Sequence, residues 1–341
     1  MLRLNKVRKV LQSEDIDSMV ISNIKNVRYV SGFTGDEGMA LITEKDAYLI
    51  VDGRFTEQAK NESRIKVVDY GGNFVRTISE ILKADNAKKC AFEGNTMTFS
   101  EAKHMMDTIN FISWVAKKDV FEKIRMVKDI NEIKIIKKSL QIALDTFNYV
   151  KPQIVAGVTE LDIANEIEYR MKKLGASGPS FDTIVASGKR SALPHGVATK
   201  KVIENGDAVV IDMGAIYNGY CSDITRTVFV GGMTKEQERV YDLVAKAQKF
   251  AIDVIEAGVP CKDVNEVAVN EFRKNGMDKY FVHSLGHGVG LDVHERPFVA
   301  GRSLDVFEPG MVVTVEPGLY LPEQFGVRIE DMVMVPLEEN E

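Results

Sequence analysis

The sequence is sparing with histidine, cysteine and tryptophan: five, three and one in 341 residues. The three cysteines, Cys90, Cys221 and Cys261, are far apart and odd in number, which speaks against a disulfide framework and against a thiolate zinc site. Long hydrophobic runs are missing as well. No stretch approaches the ~18 apolar residues that a membrane helix needs, and the opening MLRLNKVRKVLQSEDID lacks the apolar core of a secretion signal. A cytoplasmic location with no membrane partner is therefore expected. An excess of positive charge is also absent, and the net charge of −6 offers no electrostatic reason to expect nucleic acid as a partner.

What is there is an ordinary globular composition, 45% hydrophobic and 28% charged, at a length that suggests about two domains. In the first part, DSMVIS (17–22), MALIT (39–43), AYLIV (47–51) and KKCAFEG (88–94) are predicted strands. FVRTISEILK (74–83) puts Val75, Ile78 and Leu82 on one helical face. The expectation is a small α/β domain over residues 1–124. SGFTGDEG (31–38) is too weak a glycine pattern for a phosphate loop, because no helix is predicted after it.

From Arg125 onward the pattern changes, and a second domain is expected over 125–341. A helix over 130–150 and another from a Thr159 cap to Gly175 precede strands at 182–187, 207–214 and 223–230. The order then recurs. Thr234 with Gln237 caps a helix predicted to reach Gly258, 263–276 is helical, and strands are predicted over 310–318 and 326–335. Two rounds of helix, helix and strands imply a pseudo-duplicated α+β domain.

Three of the five histidines crowd into HSLGHGVGLDVHERP (283–297) with Gly286, Gly288 and Gly290 between them. Any one of them is explained by a loop; the cluster asks for more, because imidazole is the commonest metal ligand and a proton carrier near neutral pH. Acids meanwhile sit in segments that otherwise read as buried strand. Asp212 follows a run of aliphatic residues, where an unpaired carboxylate would be costly. A turn at Asn218 and Gly219 is expected to set Asp223 opposite it across a hairpin. Glu316 shares a strand face with Thr314, and Glu330 shares one with Arg328, which suits an Arg328–Glu330 ion pair. Four carboxylates carry a charge that two divalent cations would neutralise. With one imidazole they suit Mn²⁺, Co²⁺, Fe²⁺ or Zn²⁺. Such a centre holds a bridging hydroxide for attack on a carbonyl or phosphoryl group. This reasoning reaches metal-assisted hydrolysis and leaves the bond open.

The blocks VVIDMGAIYNGYCSDITRTVFVG (209–231), HSLGHGVGLDVHERP, VTVEPGLYLP (313–322) and VRIED (327–331) resemble those of the pita-bread metallopeptidases, which include methionine aminopeptidase, aminopeptidase P and prolidase. RYVSGFTGDEGMALIT and VDGRFTEQA are similar to the creatinase/prolidase type of N-terminal domain, which methionine aminopeptidases lack. The resemblance implies five metal ligands, Asp212, Asp223, His287, Glu316 and Glu330, with Asp223 and Glu330 contacting both of two ions, Mn or Co before Zn or Fe. It implies that Glu316 also takes the proton of the attacking water. His195 would meet substrate near the metals, and His294 would stabilise the tetrahedral intermediate or move a proton. His283 and Arg328 would line the substrate site, with Arg328 orienting Glu330. The implied activity is Xaa-Pro aminopeptidase, attacking short peptides with proline second through a metal-bridging hydroxide, in a homodimer. Prolidase, restricted to dipeptides, and a non-catalytic binding protein on the same fold are the alternatives. A creatinase-like protein without metals is disfavoured by the full ligand set. Phe181 and Val293 are candidates for an apolar pocket around the proline ring, and His104 is expected on a surface helix. The sequence stops at PLEENE, where relatives of this kind often add a strand.

Overall fold

The structure, a computed structural model, describes residues 2–337, so the last four residues of PLEENE lie outside it. It parts into two compact units between Ile124 and Arg125.

The first unit has helices α1 (Leu2–Ser13), α2 (Ile24–Ser31), α3 (Thr56–Glu62), α4 (Phe74–Ala84) and α5 (Phe99–Thr108), and its boundary at Arg125 falls within α6 (Val120–Met126). Its strands are β1 (Ser18–Ile21), β2 (Met39–Thr43), β3 (Ala47–Val51), β4 (Lys66–Asp69), β5 (Lys89–Glu93) and β6 (Ser113–Lys117), in one sheet of order β4-β3-β2-β1-β5-β6. β1 pairs antiparallel with β2 and parallel with β5. Met19, Val20 and Ile21 are all fully buried, the mark of a central strand covered on both faces. Val75, Ile78 and Leu82 of α4 are the buried stripe that their spacing predicts. Sequence periodicity misses α1, α2, α3 and α6, as well as β4 and β6, whereas the surface helix expected around His104 is α5. β4 and β6 are the sheet's edges and only half-buried, so their apolar alternation is weak. His104 lies exposed on α5.

The second unit is two similar runs. The first has α7 (Ile130–Val150), α8 (Glu160–Lys173), β7 (Gly178–Pro179), β8 (Ile184–Ser187), β9 (Ala208–Met213), β10 (Ala215–Tyr217), β11 (Tyr220–Cys221) and β12 (Ile224–Phe229). The second has α9 (Lys235–Ile252), α10 (Cys261–Lys274), β13 (Gly286–Gly288), β14 (Glu295–Val299), β15 (Val312–Val315), β16 (Gly318–Leu321), β17 (Phe325–Arg328) and β18 (Asp331–Met334). Reciprocal caps start three of the helices: Asp129 with Glu132, Thr159 with Asp162, and Thr234 with Gln237. α9 stops at Ile252, not Gly258, and a turn covers the gap. Each run has its own apolar core, one built around Ile142, Ile163, Ile167 and Ile211, the other around Val244, Phe272, Val313 and Val327.

The two long strands expected near the end are each broken in two. β15 pairs with β13 and β18, whereas β16 pairs with β17 alone, so the chain changes sheets at Glu316-Pro317 and returns at Ile329-Glu330. Pro317 has no N–H with which to extend the first ladder. Both breaks coincide with an acid that the sequence singles out. Glycine lets the neighbouring backbone come close: a Cβ on Gly286 would lie 2.0 Å from the Thr314 carbonyl oxygen. The three cysteines are buried and form no disulfide.

Candidate metal centre

The two aspartates come from the first run. Asp212 on β9 stands opposite Thr225 of β12, and Asp223 immediately precedes that strand, so the two acids are diagonal neighbours, not the directly facing pair expected. The Asn218–Gly219 turn closes a separate hairpin of β10 and β11, with both turn residues at positive φ, +46° and +79°. His287 on β13, Glu316 just past β15 and Glu330 between β17 and β18 come from the second run.

The side chains converge. One ligand atom each from Asp212, Asp223 and Glu330 lie within 4.8 Å of one another, and so do those of His287, Glu316 and Glu330; the two groups share Glu330. A third such group is Asp223, His287 and His294. His287 Nε2 is 3.2 Å from Glu316 Oε1 and 3.6 Å from Asp223 Oδ2. Its Nδ1 lies 3.1 Å from the Gly288 carbonyl oxygen, which can only accept, so Nδ1 carries the proton and Nε2 faces the acids.

Arg328, only 3% exposed, organises the floor. Its Nη2 donates to Asp212 Oδ2 (2.6 Å), its Nη1 to Tyr320 Oη (2.7 Å) and to the Pro194 carbonyl (3.1 Å), and its Nε to Thr225 Oγ1 (3.1 Å). Thr225 in turn donates to Glu330 Oε2 at 2.7 Å. The expected Arg328–Glu330 ion pair is therefore replaced by an Arg328–Asp212 pair, with Glu330 reached only through the Thr225 hydroxyl. The strand break after Arg328 is the reason, because alternation no longer carries across it. Tyr320 also bonds His283 Nε2 at 2.9 Å, and His283 Nδ1 lies 2.8 Å from the Ser284 carbonyl. Since Nδ1 must be the donor there, Tyr320 gives its proton to Nε2 while accepting from Arg328.

These residues line a cavity of about 500 Å³. His195, exposed beside Pro194, and His294, its ring centroid 4.3 Å from that of His287, border it. Phe181, Ile184, Val197 and Phe298 supply apolar surface. Val293 is not among the lining residues; it lies one position off, and His294 takes the cavity side. Thr225 and Tyr320 are the functional neighbours that sequence reasoning misses. Thr225 was within reach of it, two residues after Asp223 on the same strand face. Nothing in the sequence marks Tyr320 apart from its place beside Pro317.

Electrostatics make the cluster unstable as bare anions. Burial, and after it the charge of Glu330, Asp212 and Glu316, pushes the Asp223 carboxyl well above the usual carboxylate range. Burial, then Glu316 and Asp212, does the same to Glu330. Burial also opposes ionisation of Glu316, but the hydrogen bond and charge of His287 outweigh it and shift this acid down. Burial disfavours a charged His287, and Glu316 overrides that to shift the imidazole up. Three buried oxygens, Asp212 Oδ1, Asp223 Oδ1 and Glu330 Oε1, accept no hydrogen bond. Either protons or cations must resolve this conflict. Hard oxygen donors, three of them without partners, gathered with one imidazole in two groups that share Glu330, fit divalent cations.

A duplicated two-helix body that carries such an acid cluster partly on strands and partly at sheet breaks defines the pita-bread class of metal-dependent hydrolases. Residues 134–336 match metallopeptidase family M24, and residues 3–127 match the creatinase/prolidase N-terminal domain. The chain is 41% identical to an Xaa-Pro dipeptidase of Pyrococcus furiosus over 98% of its length and 94% of the relative's. It superposes on the structure of an Xaa-Pro dipeptidase from Bacillus anthracis with a TM-score of 0.96, at 41% identity, covering 100% of this chain and 96% of that one. An X-Pro aminopeptidase from Thermotoga maritima gives 0.90 at 41% identity, covering 95% and 94%. The chain belongs to metallopeptidase family M24.

Two outcomes are expected. Asp223→Asn, which removes charge where the two aspartates and Glu330 meet, lowers the metal retained after dialysis, measured by elemental analysis; undiminished metal would count against the cluster. The second concerns pH. Because Asp223 and Glu330 are shifted up on folding, the metal-free folded chain binds protons that the unfolded chain releases, so its stability falls as pH rises above the ordinary carboxylate value of about 4. Glu316 acts in the opposite sense but is displaced less. The gap in Tm between metal-loaded and metal-free protein should thus widen from about pH 4 to 7; a constant gap would refute it.

Proposed function

We propose that this protein is an Xaa-Pro aminopeptidase that holds two divalent cations, Mn or Co before Zn or Fe, with Asp212, Asp223, His287, Glu316 and Glu330 as ligands. The observation that carries the reading is the pair of donor groups sharing Glu330, together with the three buried oxygens that lack partners. When bound, the cations supply Lewis acidity: they make a water nucleophilic near neutral pH and stabilise negative charge on the attacked carbonyl oxygen.

The chain's own residues do the rest. Glu316, kept ionised by His287, accepts the proton of the attacking water. His195 and His294 border the cavity from opposite runs and hold the substrate carbonyl. Burial, and then His287, shifts His294 down, so it is neutral at pH 7 and able to carry a proton toward the departing proline nitrogen. The proton that Glu316 takes from the water is the one His294 accepts and passes on, so the step balances: water's oxygen bonds to the carbonyl carbon, the C–N bond breaks, the nitrogen leaves as a secondary amine, and Glu316 and His294 return to their starting states. His283 and Arg328, joined through Tyr320, keep the floor rigid. The apolar side chains Phe181, Ile184, Val197 and Phe298 suit a pyrrolidine ring. An Xaa-Pro bond offers no N–H, so a site that selects by ring shape and metal contact has an advantage over one that reads an extended strand.

Residues 1–124 are proposed as the creatinase/prolidase-type N-terminal domain and 125–341 as the catalytic domain, in a cytoplasmic homodimer. A second reading, prolidase acting on dipeptides alone, is favoured by the names of the Pyrococcus and Bacillus relatives. Among the described helices none is long and apolar enough to cross a membrane.

The deciding assay loads purified protein with Mn²⁺ or Co²⁺ and offers Ala-Pro, Ala-Pro-Ala and a proline-free control. Cleavage of the tripeptide supports the aminopeptidase; cleavage of Ala-Pro alone establishes the prolidase reading. No cleavage despite bound metal rejects both. In the same assay His294→Ala should lower kcat by about 100-fold, within the range for loss of an acid–base group, and keep bound metal. Loss of metal would make His294 a ligand instead.

A further inference from the structure

His294 has its ring against that of His287, yet no hydrogen bond to its own ring is found among the described residues, so something else must set its direction. The next residue does. Glu295 opens β14 and is 7% exposed, while His294, in the bend just before that strand, is exposed and borders the cavity, so the direction of the bend is tied to where Glu295 is held. What draws Glu295 inward is a buried charge cluster from the start of the second unit. Arg125 Nη2 donates to Asp292 Oδ2 at 2.6 Å and also to Glu295 Oε2, so one guanidinium straddles Val293 and His294. Lys128 Nζ lies 2.8 Å from Glu295 Oε1 and donates to the Met126 carbonyl at 3.2 Å. Arg125 and Lys128 are 5% and 2% exposed. The loop wraps around the same carboxylate: Asp292 N–H approaches Glu295 Oε2 at 3.4 Å, and Gly290 N–H donates to the Asp292 carbonyl at 2.9 Å. A Cβ on Gly290 would lie 2.3 Å from Glu295 Oε1, so only glycine leaves room for the acid.

Two cations and two carboxylates balance in charge. Taking them out of water gains little stability over well-packed apolar residues. What such a cluster does supply is a fixed direction for the chain that it ties.

We propose that Arg125 and Lys128 are positioning residues for His294. By burying Glu295, and in the case of Arg125 also holding Asp292, they lock the 290–295 loop so that the imidazole between these two acids faces the cavity beside His287. The inference rests on the proposed role of His294 in Xaa-Pro hydrolysis, and the experiment separates the two.

Arg125→Gln should lower kcat on an Xaa-Pro peptide by about 10- to 100-fold, the scale expected for a misplaced reacting group, with KM within about twofold and bound metal unchanged. Arg125→Lys, which restores the charge, should recover most of the loss. In a His294→Ala background Arg125→Gln should change kcat by less than about twofold, because coupled residues are not additive. An equal drop in both backgrounds overturns the proposal. Asp292→Asn keeps Glu295 paired with both cations and is the safer variant for folding. It should repeat the pattern at smaller size, and equal loss in both backgrounds again overturns it. Independently of activity, hydrogen–deuterium exchange in Arg125→Gln should quicken in peptides covering 289–296 and stay unchanged in α9 and α10; unchanged exchange in 289–296, or quickening throughout the unit, overturns it. If the wild-type protein cleaves none of the peptides, the proposed function has failed and the exchange result alone decides the clamp.

Discussion

The second unit depends on one desolvated guanidinium. A cation at the position of Arg328 would cost several kcal/mol if left without partners, and the fold answers with Asp212, Thr225, Tyr320 and the Pro194 carbonyl. Those contacts tie together β9, β12, β16, β17 and the loop carrying His195. The geometry of the acid cluster is thus inherited from the arginine. Asp212 is held by it directly, Glu330 is held by a threonine that it orients, and His283 is held by a tyrosine that it polarises.

A second constraint acts through the backbone. An acid in the middle of a regular strand keeps to one face and has strand neighbours on either side. Where the chain leaves one sheet for another, that rule lapses and the side chain can turn toward a third element. Glu316 and Glu330 occupy those two breaks: Glu316 meets His287 of the neighbouring β13, and Glu330 accepts from Thr225 of β12, in the other run. The irregularity thus brings the carboxylates at the two breaks together with candidate ligand atoms from the β12-β9-β8 sheet and from the sheet of β13, which continuous ladders would hold apart.

Much of this is legible in the sequence. The order of elements in the second unit follows from caps and periodicity: Thr159 and Thr234 mark helix starts, and the aliphatic run before Asp212 marks a buried strand. The candidate donors stand out because carboxylates in apolar strands are costly and must be explained. What periodicity does not reveal is the change of sheet at Glu316 and Glu330, since each half-strand still alternates and only the partner differs. The same blind spot gave Arg328 the wrong acid. Arg125, Lys128 and Glu295 are invisible for another reason: charged residues some 170 positions apart look like solvated surface until the fold buries them together. In the first unit the half-buried edge strands and the short helices carry too little apolar pattern to be distinguished from loop.

The duplication has a consequence for the order in which the protein becomes competent. Asp212 and Asp223 belong to the first run, whereas His287, Glu316 and Glu330 belong to the second. Of these five Glu330 is made last, and it is a member of both donor groups that share it. A chain emerging from the ribosome therefore leaves both groups incomplete until Glu330 has been added, and the group of Asp212, Asp223 and Glu330 waits further for the second run to close onto the first. The second run alone carries His287, Glu316 and Glu330, but the group with Asp212 and Asp223 needs both runs, so the full cluster arrives with the joining of the runs and not with the folding of either.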